Sequence, residues 1–204
     1  MARPGAAPKI DDDELDSLER DLLGRAHGRV LEIGAGWGEN FGAFPLDIEW
    51  IGLEPDGDRL AELSQRAREW GHTTPPLAAV AGHIPLPDAS IDTVVASYVL
   101  CTVPDIAAAL AEVERVLVPG GRVLFVDHVI APAGTLVRGL QHVATPFTTR
   151  LFHGCHWDRD PEPALSARFE AADVRTYSVP GTPFRVPTLL FDGRPRAGSS
   201  LFTG

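Results

Sequence analysis

Nine residues, Val30-Leu31-Glu32-Ile33-Gly34-Ala35-Gly36-Trp37-Gly38, constrain the fold of this chain more than any others. A short apolar run carrying one acidic residue reads as a buried strand, and it passes directly into a glycine-dense turn. Glu39-Asn40-Phe41 then opens a helix candidate. Strand, glycine turn and helix in succession bring backbone close to a ligand, because glycine has no Cβ to hold it off and tolerates positive φ. The dinucleotide fingerprint G-x-G-x-x-G requires a third glycine where this chain has Glu39. The pattern is acidic-x-G-x-G-x-G, and a carboxylate beside the glycines suits a cationic ligand better than a pyrophosphate.

Downstream, strand and helix candidates alternate. Arg29–Ile33 is followed by Glu39–Phe44, Glu49–Glu54 by Asp58–Trp70, and Leu77–Ala81 by a loop. Asp92–Tyr98 precedes Asp105–Leu117, and Arg122–Val129 precedes a longer irregular stretch. Leu15, Leu18, Leu22 and Leu23 give Asp11–Arg25 the spacing of an amphipathic helix with acidic residues at its N-terminal dipole end. After a helix expected over Glu162–Ala171, Val174–Val179 and Val186–Phe191 flank Pro180-Gly181-Thr182-Pro183, which reads as a hairpin turn. The expectation is an α/β protein with a doubly wound, mostly parallel seven-stranded sheet closed by a C-terminal antiparallel hairpin. Residues 11–192 form one domain with an N-terminal helix on this reading, flanked by flexible tails at 1–10 and 193–204.

Composition narrows the partners. A net charge of −10 argues against nucleic acid, which needs a basic face. Lys9 is the single lysine among 18 basic residues, and with abundant Ala, Gly and Pro this suggests a high-GC bacterial genome. Two cysteines, Cys101 and Cys155, make no disulfide framework, so a cytoplasmic location is expected. No apolar run approaches the ~20 residues of a membrane span, so no membrane partner is expected.

Three more segments carry chemistry. Glu54, followed by Pro55, ends the second strand candidate about 20 positions after Glu32, where doubly wound folds place an acidic residue for ribose hydroxyls. Nicotinamide, flavin and adenosyl-sulfonium binders share that spacing. Leu86-Pro87-Asp88-Ala89-Ser90-Ile91-Asp92 leads into Thr93–Ser97, and Arg115–Val123 holds a helix end, a Pro-Gly-Gly turn and a fifth strand.

With these four motifs in order, residues 29–130 resemble the class I S-adenosylmethionine-dependent methyltransferases of the small type-11 kind. The resemblance implies S-adenosyl-L-methionine as cofactor. It puts Glu32, with Asn40, near the methionine amino group, and Gly34, Ala35, Gly36, Trp37 and Gly38 around the ligand. Glu54 and Pro55 fall at the ribose, Ala81, Gly82 and His83 at the adenine, and Ser97, Tyr98 and Val99 along one wall. Many relatives carry an Asp after the third strand for the adenine amino group; here the sequence is Val80-Ala81-Gly82-His83, so backbone carbonyls or His83 would serve. Trp37 either covers the cofactor or packs on the first helix. A narrower resemblance, to the membrane-anchored alkyl-thiol S-methyltransferases of animals, rests on Val99-Leu100-Cys101-Thr102-Val103, Asp127-His128-Val129 and Leu151-Phe152-His153-Gly154-Cys155. The chain lacks their N-terminal apolar anchor and would be a soluble relative.

The methyl acceptor is then a small molecule, with a thiol favoured over oxygen, nitrogen or carbon because it ionises without a strong base or a metal. Asp127 and His128, at the carboxyl end of the fifth strand, are the candidate polar end of the acceptor site, with His156 as competitor. Cys101, His142 and Trp157 are candidate acceptor-lining residues. His153-Gly154-Cys155-His156 matches no common zinc signature, and no metal is expected. The rival readings are another acceptor on the same fold, a cofactor-binding protein without catalysis, and, disfavoured by Glu39, a nicotinamide oxidoreductase.

Overall fold

The computed structural model describes residues 7–151, 154–180 and 185–196. Most of the expected hairpin turn, from Gly181 on, and His153 lie outside them. Strands β1 (Arg29–Ile33), β2 (Glu49–Leu53), β3 (Ile91–Ser97), β4 (Leu117–His128), β5 (Phe169–Val179) and β6 (Val186–Pro195) form one sheet in the order β2-β1-β3-β4-β6-β5. The first four are parallel, and β6 and β5 continue the sheet antiparallel.

Among the described residues the sheet has six strands, not the seven expected. Leu77–Ala81 is the difference: only Leu77 bridges to Leu53, and Val80 already pairs back with His83. Pro75-Pro76 just upstream supply no N–H for a ladder, so contact with the β2 edge is confined to Leu77, which donates to Gly52 and accepts from Glu54. Strand pairing also reaches into both expected tails, since Lys9 bridges to Ser178 and β6 runs on to Pro195.

Helices α1 (Asp12–Leu23), α2 (Gly57–Glu69), α3 (Ile106–Val116), α4 (Leu136–Leu151) and α5 (Glu162–Arg168) complete the fold, with a 3₁₀ turn at Glu39–Ala43. Helix α1 starts where Asp11 accepts a hydrogen bond from Glu14 N (2.9 Å), and its periodic leucines bury Leu15, Leu22 and Leu23. Side chains alternate along each strand, so successive residues enter opposite core layers. Leu31, Val94 and Phe125 pack with α3 and α5, while Val30, Val95 and Leu124 pack with α1 and Trp50. Helix α4 falls within the stretch read as irregular. No helix among the described residues is long and apolar enough to cross a membrane.

Chain order reverses at β1. The chain steps outward to β2 and then returns to β3 on the other side, which opens a crevice at the carboxyl ends of β1 and β3.

Candidate active site

That crevice is a cavity of about 910 Å³. The floor is the glycine turn, with Gly34 at φ +67° and Gly38 at φ +80°. A Cβ on Gly34 would lie 2.5 Å from Val99 Cγ2, and one on Gly38 2.2 Å from the Phe41 ring, so both positions exclude a side chain on space as well as on backbone angle.

The turn's amides are already engaged. Gly36 N donates to Glu54 Oε2 (2.9 Å) and Trp37 N to Glu39 Oε2 (3.1 Å). A pyrophosphate needs such amides free, whereas here carboxylates have taken them. Glu54 is only 4% exposed and still borders the cavity, its other oxygen accepting from Asp56 N (3.0 Å).

Glu32 sits beneath the turn, 1% exposed, and does not itself line the cavity wall. Asn40 Nδ2 donates to its Oε1 (2.7 Å) and Trp50 Nε1 to its Oε2 (2.8 Å). Burial raises its pKa to about 7, against the lowering effect of those two bonds. Asn40 also reaches Ser97 Oγ (3.3 Å), linking the acidic floor to the end of β3.

Of the expected cofactor residues, Gly34, Gly36, Trp37, Glu54, Pro55, Ala81, Gly82, Ser97, Tyr98 and Val99 line the cavity. Ala35 and Gly38 shape the turn from behind, and His83 is exposed outside the lining. Trp37 is 36% exposed with the Arg59 guanidinium 5.6 Å from its ring centroid, so it borders the cavity rather than packing into the core. The sequence reading missed Arg59, Glu39 and the Thr102–Asp105 wall. Arg59 lies one helical turn into α2, a position no motif marks.

The other end of the cavity is bounded by Tyr98, Val99, Thr102, His128, Cys155 and Trp157. Tyr98 holds φ +58°, unusual for an aromatic residue. Its hydroxyl donates to Glu19 of α1, which fixes the ring, and the His128 ring lies 4.7 Å away centroid to centroid. Trp157 packs edge-on against His128 at 6.2 Å. His128 Nδ1 is 3.5 Å from Cys155 Sγ, and Cys155 Sγ is 3.2 Å from Cys101 Sγ. Cys101, His128 and Cys155 have ligand-capable atoms within 4.8 Å of one another, a grouping the spacing in sequence does not reveal.

Four expected acceptor-site residues are placed differently. Asp127 is 1% exposed and outside the lining. Its carboxylate accepts from Leu100 N (2.6 Å) and Cys101 N (3.2 Å), so it holds the loop after β3. Burial raises its pKa to about 6. His142 and His156 also lie outside the lining, and both turn toward Asp158. Cys101 is wholly buried behind Cys155, which takes the lining position expected of it.

A parallel sheet with a crevice at its switch point and an antiparallel C-terminal hairpin define the Rossmann-like fold of the class I methyltransferases. Residues 31–125 match the family described as Methyltransferase domain. It is 34% identical over 151 residues to Thiol S-methyltransferase TMT1B of Rattus norvegicus, covering 72% of this chain and 62% of that protein. Thiol S-methyltransferase TMT1A of Homo sapiens is 34% identical over 155 residues, or 74% of this chain and 64% of that one. The chain thus spans somewhat under two thirds of the length of these curated relatives. The crystal structure of YcgJ from Bacillus subtilis superposes with a TM-score of 0.70 at 22% identity, covering 91% of this chain and 99% of that one.

Proposed function

We propose that the chain is an S-adenosylmethionine-dependent methyltransferase acting on a small-molecule thiol. The observation that carries the donor assignment is the acidic floor: Glu54 and Glu39 occupy the turn amides, and Glu32 lies beneath them. Such a floor repels phosphates and favours a ligand bearing an ammonium and a sulfonium. A cavity of about 910 Å³ lies at the upper end of single-ligand sites, roughly 300–1,000 Å³, which leaves space for a small second substrate.

On this reading Glu32, positioned by Asn40 and Trp50, neutralises the donor's amino group through the turn. Glu54 accepts from the ribose hydroxyls. The adenine lies by Ala81 and Gly82, whose backbone serves its amino group because His83 is not among the lining residues. When bound, S-adenosylmethionine supplies an activated methyl group on its sulfonium. The chain's remaining tasks are to align an acceptor at about 3–3.5 Å and keep water out. Tyr98, Val99 and Trp157 give that end apolar walls, and charge neutralisation in the transfer is favoured in such surroundings.

The His128 ring is the polar group at this end. Its Nδ1 is engaged with Cys155 Sγ, so Nε2 is the nitrogen left to accept the acceptor's proton. A thiol of pKa about 8.5 needs only this modest help, whereas a hydroxyl would need far more. Two unpaired cysteines accord with a reducing compartment such as the cytoplasm.

Labelled-donor assays against thiol, hydroxyl, amine and carbon acceptors test the reading. Turnover of small thiols alone is expected. His128→Ala is expected to slow it by about 10- to 100-fold, with the loss shrinking as more acidic thiols are used. Transfer only to another acceptor class overturns the thiol assignment. Donor binding without transfer to any class makes the chain a binding protein, and preference for a nicotinamide cofactor overturns the whole reading.

A further inference from the structure

Two thiols meet at the acceptor end of the cavity, and the reaction proposed above uses neither as a nucleophile. Cys101 comes from the loop after β3, Cys155 from the segment after α4, 54 positions apart. Their sulfurs are 3.2 Å apart. The main chains are joined beside them, because His156 N donates to Cys101 O (2.9 Å). Thr148 Oγ1 of α4 donates to the Cys155 carbonyl (2.8 Å) and Gly154 N donates to Thr149 O (3.1 Å), so the segment is anchored on both sides of the sulfur. A disulfide needs sulfurs at about 2.05 Å on neighbouring backbones, and the two sulfurs here stand about 1 Å beyond that separation.

The two sulfurs are not equivalent. Cys155 borders the cavity, while Cys101 is sealed beneath it beside the Asp127 carboxylate. The hydrogen bond between the two sulfurs, with His128 and His156 nearby, lowers the Cys155 pKa; the same bond, burial and Asp127 raise that of Cys101. One sulfur borders the cavity, and the other lies sealed behind it. That is the arrangement of an attacking and a resolving cysteine.

We propose that Cys101 and Cys155 form a reversible disulfide under hydroperoxide, withdrawing the Cys155 sulfur from His128 and from the acceptor end of the cavity. In the first step the Cys155 thiolate attacks a peroxide oxygen. The O–O bond breaks, and the leaving hydroxide takes a proton to become water, so Cys155 becomes a sulfenic acid. In the second step Cys101 sulfur attacks Cys155 sulfur. The S–S bond forms, the S–O bond breaks, and the Cys101 proton departs with the hydroxide as a second water. Two thiols are oxidised by two electrons and one peroxide is reduced. A dithiol reverses the bond by exchange and leaves as its own disulfide.

The bond stands independently of the functional reading. Its consequence for turnover rests on that reading, because His128 loses the contact that orients its ring.

The test uses the full chain, reduced and then treated with equimolar hydrogen peroxide, denatured, alkylated and weighed intact. The expected result is loss of both alkylation sites, a Cys101–Cys155 cross-linked peptide and full recovery on adding a dithiol. Cys101→Ser is expected to stop at a sulfenic acid on Cys155 that dimedone traps. Thiol methylation by the oxidised chain is expected to fall by about tenfold and return after phosphine reduction. Retention of both alkylation sites, a disulfide between chains, or a metal ion that copurifies on both sulfurs overturns the proposal. If the cross-link forms but the reduced chain methylates no thiol, the bond stands and the functional reading falls. If thiols are methylated and no cross-link forms, the reverse holds.

Discussion

Glu32 shows how one buried carboxyl couples binding to pH. Its ordinary value of 4.5 rises to about 7 because burial penalises the charge more than Asn40 and Trp50 stabilise it. A raised value means that the folded chain holds this proton more tightly than the unfolded chain. The contribution to stability is therefore fully present below about pH 4.5 and is lost as pH rises through about 7, a difference on the order of 3 kcal/mol. Urea titrations across that window should show stability falling, and Glu32→Gln should flatten the slope. The slope is the measure to use, because the amide nitrogen of Gln would meet one of the two donors and cost stability at every pH. Donor binding should respond in the opposite sense. A cationic amino group favours the ionised carboxylate, so affinity should rise with pH up to about 7 and then level. Calorimetry with S-adenosylhomocysteine, in buffers of different ionisation heat, should register proton release near pH 6 in the native chain and none in Glu32→Gln. Identical release in both would remove Glu32 from the site.

At the scale of elements, the loop after β3 is held by a neighbouring strand. Asp127, at the end of β4, accepts from the amides of Leu100 and Cys101. Asp127→Ala leaves both donors buried without an acceptor and should cost about 2–4 kcal/mol in denaturant unfolding. Asp127→Asn keeps one acceptor and should cost about half as much. If the residue only positions the loop, the Asn variant retains thiol turnover in proportion to its folded fraction, with an unchanged pH profile. A changed profile would return Asp127 to the polar end of the acceptor site, where the sequence reading has it. That role was inferred from position at a carboxyl edge, and position is what sequence reveals; whether a side chain points to cleft or core depends on the neighbouring strand. The glycine turn and the β–α alternation were legible because each is written in contiguous residues. Leu77–Ala81 was not, since its apolar content resembles a strand while Pro75-Pro76 limit its pairing. Helix α4 inverts the usual pattern: its buried face is Gln141, Thr145 and Thr148, while Leu136, Val143, Phe147 and Leu151 are exposed. Gln141 bonds Ala131 N and Val129 O, so a polar stripe docks the helix, and a search for apolar periodicity finds the wrong face. Cys155 belongs with these, as its nearness to Cys101 and His128 exists only after α4 folds back.

Across the whole molecule, Asp192 of β6 joins segments from both ends of the chain. It is 1% exposed, and Arg122 of β4 meets it through Nε and Nη2, both at 2.8 Å. Arg25, just past α1, reaches it through Nη1 at 3.0 Å and also binds Asp21 at 2.7 Å. One carboxylate thus ties the N-terminal helix, the sheet centre and the C-terminal hairpin. Two guanidinium partners compensate its desolvation, and neither of them is fully buried, with side chains 22% and 30% exposed. Removing the carboxylate leaves two half-buried cations side by side, though water and Asp173 still reach Arg25. The expected cost of Asp192→Ala is therefore about 2–4 kcal/mol, at or below the range for breaking a fully buried pair. Arg25→Ala alone should cost about 1 kcal/mol, because Arg122 keeps its bidentate bond. The double variant should cost less than the sum of the two, since Arg25 has less to lose once Asp192 is gone. Arg122 lies midway along β4, whereas the cavity opens at the carboxyl ends of the parallel strands, beside His128. Donor affinity measured well below the melting temperature should accordingly be unchanged in Asp192→Ala. A loss of affinity with folding intact would mean that the hairpin controls the cleft through the sheet, and the two edges could no longer be treated as independent.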